Sequence, residues 1–228
     1  MDNTVTYQSP SFAGLAVYAQ ASLKKDSCNP ALAEYEDFAD VDYKEGSSDA
    51  ERYYALGAKF SAEGLNTGLV FSTTDYSRND VTKANDDNGY VVSGFVNYDF
   101  GMVKPMLAAQ YWNGGDKLTY TKTKGADGTV TYPSKVKGTE GYGIVIGATA
   151  PVLGGTLKVT GGWNDFEDTA DNSSTDYNNW MIGAGYEYSL SKRTMIYTAA
   201  GYSEAKTKAA ATTKTKTTEV MAGLVHKF

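Results

Sequence analysis

The sequence predicts an all-β chain, folded as an antiparallel β-barrel that crosses a membrane with its strands. Three observations carry this. Strand-like runs of about ten residues recur along the whole chain, where soluble strands average about five or six and a bilayer needs about 9–11 tilted residues. The connections between the runs are alternately short and long. Along the runs, apolar side chains fall on one face and small, polar or charged ones on the other.

Eleven runs are expected. Thr4–Gln8 leads through the short connection Ser9-Pro10-Ser11-Phe12-Ala13 into Gly14–Leu23, which ends at the long connection Lys24–Glu51. Arg52–Ala62 sets Tyr54, Leu56, Ala58 and Phe60 against Tyr53, Ala55, Gly57 and Lys59, then turns at Glu63-Gly64-Leu65-Asn66 into Thr67–Asp75. After the long Tyr76–Gly89, Tyr90–Phe100 turns at Gly101-Met102 into Val103–Trp112. There Val103, Leu107, Ala109 and Tyr111 alternate with Lys104, Met106, Ala108 and Gln110. Beyond the long Asn113–Glu140, Gly141–Ala150 alternates Tyr142, Ile144, Ile146 and Ala148 with Gly143, Val145, Gly147 and Thr149. Pro151-Val152-Leu153-Gly154-Gly155 turns it into Thr156–Asn164, where Leu157, Val159, Gly161 and Trp163 oppose Lys158, Thr160, Gly162 and Asn164. The long Asp165–Asn178 precedes Asn179–Tyr188, which turns at Ser189-Leu190-Ser191-Lys192-Arg193 into Thr194–Glu204. The long Ala205–Lys216 leads to Thr217–Phe228, with Val220, Ala222, Leu224, His226 and Phe228 on one face.

All long connections fall on one rim and are rich in Asp, Lys, Asn, Gly and Thr, as solvated segments are. Barrels of the outer membrane have this asymmetry of rims. A mid-strand lysine fixes which face is which. Facing lipid at the midplane costs a lysine about 2–4 kcal/mol, so Lys158, flanked by Leu157 and Val159, points into water and the apolar row into lipid. The same parity places Lys59, Lys104, Lys227, Asp99, Glu187 and Glu219 on the wet wall, as pore lining, where the excess of lysine suggests a weak anion preference. Tyr54, Tyr98, Trp163, Trp180, Tyr186, Tyr188, Tyr202 and Phe228 are expected at the lipid interfaces, where amphipathic rings are favoured.

Composition removes other classes. The one cysteine, Cys28, excludes an internal disulfide, and the one histidine, His226, excludes a charge relay and most metal sites. A net charge of −6 leaves no basic footprint for nucleic acid. The longest charge-free window, 141–157, is broken by Pro151, so no helix spans a membrane. No catalytic residue, metal site or cofactor is expected. Gly114-Gly115-Asp116-Lys117 lacks the spacing of a phosphate loop, and the acidic stretch Asp165–Asp171 lacks the glycine and downstream Glu of a calcium loop. His226, in an apolar row, reads as a girdle residue near a turn. Cys28 and the acidic Glu34–Asp49 read as ordinary loop features.

With eleven antiparallel strands the first and last run the same way and cannot close antiparallel, while single-chain bacterial barrels have even counts. Met1-Asp2-Asn3-Thr4 carries no export signal. The expectation is one barrel domain over 1–228, truncated at its N-terminus. Its two open edges would make it prone to aggregate alone in water.

The stretch Asn3-Thr4-Val5-Thr6-Tyr7-Gln8-Ser9-Pro10-Ser11-Phe12-Ala13-Gly14-Leu15 resembles the segment after the constriction loop in the general trimeric porins of Neisseria, Burkholderia and relatives. Tyr188-Ser189-Leu190-Ser191-Lys192-Arg193-Thr194, with Tyr197 and Gly201-Tyr202, resembles their penultimate periplasmic turn and the strand after it. Gly223-Leu224-Val225-His226-Lys227-Phe228 resembles their terminal strand. The resemblance implies a sixteen-stranded, water-filled, homotrimeric channel in the Gram-negative outer membrane. It would pass ions and small hydrophilic solutes by passive diffusion, and this chain would hold the sixth through sixteenth strands. It further implies that Leu224, His226 and Phe228 form the signal read by the outer-membrane assembly machinery. Val225 stands where these porins often carry Arg. The competing reading is an outer-membrane adhesin or receptor that binds a partner through its long loops.

Overall fold

The computed structural model describes residues 4–25, 51–75, 88–115, 123–124, 130–131, 138–168 and 175–227. Its long strands are β1 (Thr4–Gln8), β2 (Leu15–Lys25), β3 (Glu51–Ala62), β4 (Leu65–Asp75), β5 (Gly89–Tyr98), β6 (Lys104–Gly115), β9 (Thr139–Val152), β10 (Gly155–Asp168), β11 (Asp176–Ser189), β12 (Thr194–Lys208) and β13 (Thr212–His226). They form one eleven-stranded antiparallel sheet in chain order, with β1 and β13 at its open ends. Two short strands, β7 (Thr123–Lys124) and β8 (Val130–Thr131), pair separately inside a connection expected to be strandless.

Turn chemistry explains the short rim. Ala13-Gly14, Glu63-Gly64 and Leu153-Gly154 each have positive φ at both residues (49° and 86°, 42° and 85°, 50° and 80°). That is the primed two-residue turn whose twist matches the flanking strands.

The long rim departs from expectation. Ala205–Lys216 is not a long loop: β12 runs to Lys208, β13 starts at Thr212, and Lys206 lies opposite Lys214. Threonine-rich sequence favours extended backbone, and Lys214 and Lys216 both reach Glu204, at 3.4 and 3.9 Å. Asp165–Asp168, expected in a loop, extend β10, where Asn178 Nδ2 donates to Asp165 Oδ2 at 2.8 Å. Strands β9 to β13 therefore hold 14–15 residues, not about ten.

Pairing carries one parity across the sheet. Leu107, Ile146, Gly161, Ile182 and Tyr202 are successive register partners on one face, and Met106, Gly147, Thr160, Gly183, Gly201 and Glu219 on the other. The first face is bare: Ile144 is 41% exposed, Leu157 37%, Ile182 57% and Leu224 61%. Among the described residues, Ala16 is the only buried hydrophobic. The sheet thus has no dry core, and the apolar surface that would drive folding in water is left for another solvent.

The face that carries the lysines is hollowed between β5 and β13, with one hollow of about 630 Å³ along Met106, Lys158, Thr160, Gly183 and Glu219. The apolar face carries its own groove of about 890 Å³ from Leu15 and Phe60 to Trp163. A strongly twisted open sheet is saddle-shaped and can be concave on both faces along different diagonals.

Candidate functional site

The candidate site is the lysine-bearing face. Lys59 pairs with Gly68 and Ala16, Lys104 with Thr149, and Thr149 in turn with Lys158, so Lys104 and Lys158 lie two strands apart in one register row. Lys158 Nζ makes an ion pair with Glu187 Oε1, with the two side chains 48% and 33% exposed. Glu219 lies beside Gly201 on the same face. Two expected members sit off the strands, at the short rim. Asp99 follows β5 and accepts from Gly101 N at 2.8 Å, so its carboxylate serves a turn. Lys227 follows β13, and its backbone N–H donates to Arg193 O at 2.9 Å. The face is also less polar than a simple alternation suggests, because Val145, Met181 and Met221 lie in its rows.

Within the described residues, the expected girdle residues Tyr54, Tyr98, Trp163, Trp180, Tyr186, Tyr188 and Tyr202 share the apolar face. Trp163 lies opposite Trp180, and Trp180 meets the Tyr202 ring at 5.3 Å. The belt continues through residues that the girdle expected from sequence omitted. Tyr142 meets Trp163 at 5.2 Å, Tyr111 lies opposite Tyr142, Tyr90 meets Tyr111 at 6.0 Å and Phe71 meets Tyr90 at 6.5 Å. Tyr54 is 41% exposed opposite Thr73, next to this belt. The available signal was one aromatic per strand close to the start or end of a long connection.

A second belt marks the short rim. Tyr98 meets Phe100 at 4.5 Å, Tyr186 Oη donates to Val152 O at 2.9 Å and Leu153 O at 3.1 Å, and Tyr188 is 39% exposed. From Trp180 to Tyr188 is about 27 Å along the strand and about 20 Å along the normal at a 40° tilt, close to the apolar band of about 25 Å in outer-membrane barrels. Just beyond the upper belt, Glu140, Asp165 and Glu204 appear on the same face, as at a lipid–water boundary.

At the chain end, Leu224 pairs with Ile196 and His226 with Thr194, whose Oγ1 lies 2.9 Å from His226 Nδ1. His226 thus stands in the apolar row next to the short rim, where sequence placed it. Phe228 and Cys28 lie outside the described residues.

Residues 1–208 match a family described as Gram-negative porin. The chain is 28% identical over 250 aligned residues to an outer membrane porin protein of Bordetella pertussis, covering 100% of this chain and 57% of that protein. In fold it is similar to an anion-selective porin from Comamonas acidovorans, with a TM-score of 0.62, 18% identity and coverage of 99% of this chain and 59% of the other. It is likewise similar to OmpT, an outer membrane protein of Vibrio cholerae, with a TM-score of 0.61, 11% identity and coverage of 98% and 64%. The chain therefore spans less than two thirds of the length of each.

Proposed function

Because this chain belongs to the Gram-negative porin family, and so to the bacterial outer membrane, we propose that its eleven strands are part of the wall of a water-filled channel for passive diffusion of ions and small hydrophilic solutes. The family and the fold support a channel rather than an enzyme. The observation that carries the reading is the parity of one strand: Leu157 and Val159 stand exposed on the face of the aromatic belts, and Lys158 between them turns to the hollowed face. In a bilayer that arrangement keeps the charge in water.

On this reading Lys59, Lys104 and Lys158, with Glu187 and Glu219, line the pore, while Lys227 and Asp99 sit at its periplasmic mouth. Glu187 offsets Lys158, so the remaining lysines give a weak anion preference. The structurally similar porin from Comamonas acidovorans is anion-selective. The open edges at β1 and β13 are completed by further strands of a sixteen-stranded, homotrimeric parent, of which 1–228 is the C-terminal part. Leu224, His226 and Phe228 serve its assembly.

Planar-bilayer recording of the channel that contains this chain tests the proposal. Stepwise, ohmic openings are expected, with a reversal potential tilted slightly toward chloride in a KCl gradient. A sealed bilayer in the presence of folded protein overturns it.

A further inference from the structure

A second hollow, also of about 630 Å³, lies on the hollowed face nearer the long rim. Its floor is the register row Ala108, Val145, Gly162, Met181 and Ser203, and the next row up is Gln110, Gly143, Asn164, Asn179 and Ala205. Asn179 Nδ2 donates to Asn164 Oδ1 at 2.9 Å. That bond leaves both N–H donors of the Asn164 amide, and one N–H and the Oδ1 acceptor of Asn179, uncommitted among the described residues. Among the described residues, the one charged residue along its margin is Glu204, which lies in the apolar-face row next to Ser203 and is engaged by Lys214 and Lys216.

Above the amides lies an aromatic lip on the same face. Trp112 meets Phe166 at 5.8 Å, and Phe166 stacks on Tyr177 at 4.6 Å with planes 10° apart. Gly141 makes this possible: a Cβ there would stand 2.2 Å from the Cβ of Phe166. The membrane belts on the other face do not account for this row.

Aromatic faces, an apolar floor, paired amides and, among the described residues, no free charge together suit a ring that is apolar on its faces and hydroxylated at its edge. We propose that this hollow is a subsite for a neutral sugar ring, stacked on the Trp112–Phe166–Tyr177 lip and hydrogen-bonded by Gln110, Asn164 and Asn179. It rests on the reading of this face as the wetted wall, and it adds a binding step to passive diffusion.

The test uses the full chain folded in dodecylphosphocholine, whose headgroup is not a sugar, with Trp163→Phe and Trp180→Phe so that Trp112 is the sole indole. Maltotriose is expected to change Trp112 emission saturably in the millimolar range. Phe166→Ala and the pair Asn164→Ala/Asn179→Ala, each checked for retained β-structure by circular dichroism, are expected to weaken binding at least about tenfold. No saturable change with folded protein overturns the subsite. Saturation by phenol but not by maltotriose overturns the sugar assignment. A channel that conducts yet fails this titration keeps the pore reading and loses only the subsite.

Discussion

Lys158 and Glu187 form an ion pair across β10 and β11, on the face opposite Leu157 and Val159. The pair is diagonal, because Lys158 is in register with Gly185 and Glu187 with Thr156.

The two faces of β10 are therefore expected to respond oppositely to one change. Val159→Lys should lower the unfolding free energy in phospholipid vesicles by about 2–4 kcal/mol, the cost of a lipid-facing lysine near the midplane, because Val159 lies between the level of Trp163 and that of Leu157, which is in register with Tyr186 of the short-rim belt. Lys158→Leu should cost less than about 1 kcal/mol, because an exposed pair contributes little. Guanidinium titration of the vesicle-inserted protein measures both. Similar losses for the two would refute the assignment of faces.

Glu187→Gln should free Lys158 and strengthen anion preference, moving the reversal potential in a KCl gradient further toward chloride. Lys158→Gln should move it the other way. Both shifts should shrink in 1 M salt, where the screening length falls to about 3 Å. A shift of the same sign for both variants would remove the pair from the permeation path.

Periodicity made most of the sheet legible, since parity alone put Lys158, Trp163, Trp180 and His226 on their observed faces. It failed where membrane and water demand the same backbone. Beyond the upper belt, alternation gives way to threonine, lysine and acid, and Ala205–Lys216 then reads as loop although the strands continue through Lys208 and Thr212. The inner row Trp112, Phe166 and Tyr177 was hidden for another reason. Its members come from three strands, and only the register past Gly141 brings them together.

The short turns hold non-glycine residues in a left-handed conformation, which costs roughly 1–2 kcal/mol each and is relieved by asparagine. Glu63→Asn and Leu153→Asn should therefore each stabilise by a few tenths to about 1 kcal/mol. Gly154→Val, at a φ of 80°, should destabilise by at least about 1 kcal/mol. Equilibrium unfolding checks all three, and an unchanged midpoint for Gly154→Val would contradict the turn geometry.

The three tryptophans report on both faces at once. Trp163 and Trp180 belong to the upper belt of the apolar face, whereas Trp112 lies on the hollowed face, with its Nε1 donating to Thr139 Oγ1 at 3.1 Å. In single-tryptophan variants reconstituted in lipid brominated at different depths, Trp163 and Trp180 should be quenched most by bromine near the headgroup and less by bromine at the acyl midpoint. Interfacial rings prefer the headgroup level. Trp112 should ignore brominated lipid. Quenching of Trp112 by lipid to the same degree as Trp180 would mean that both faces meet the membrane, and no wetted wall would remain for a pore.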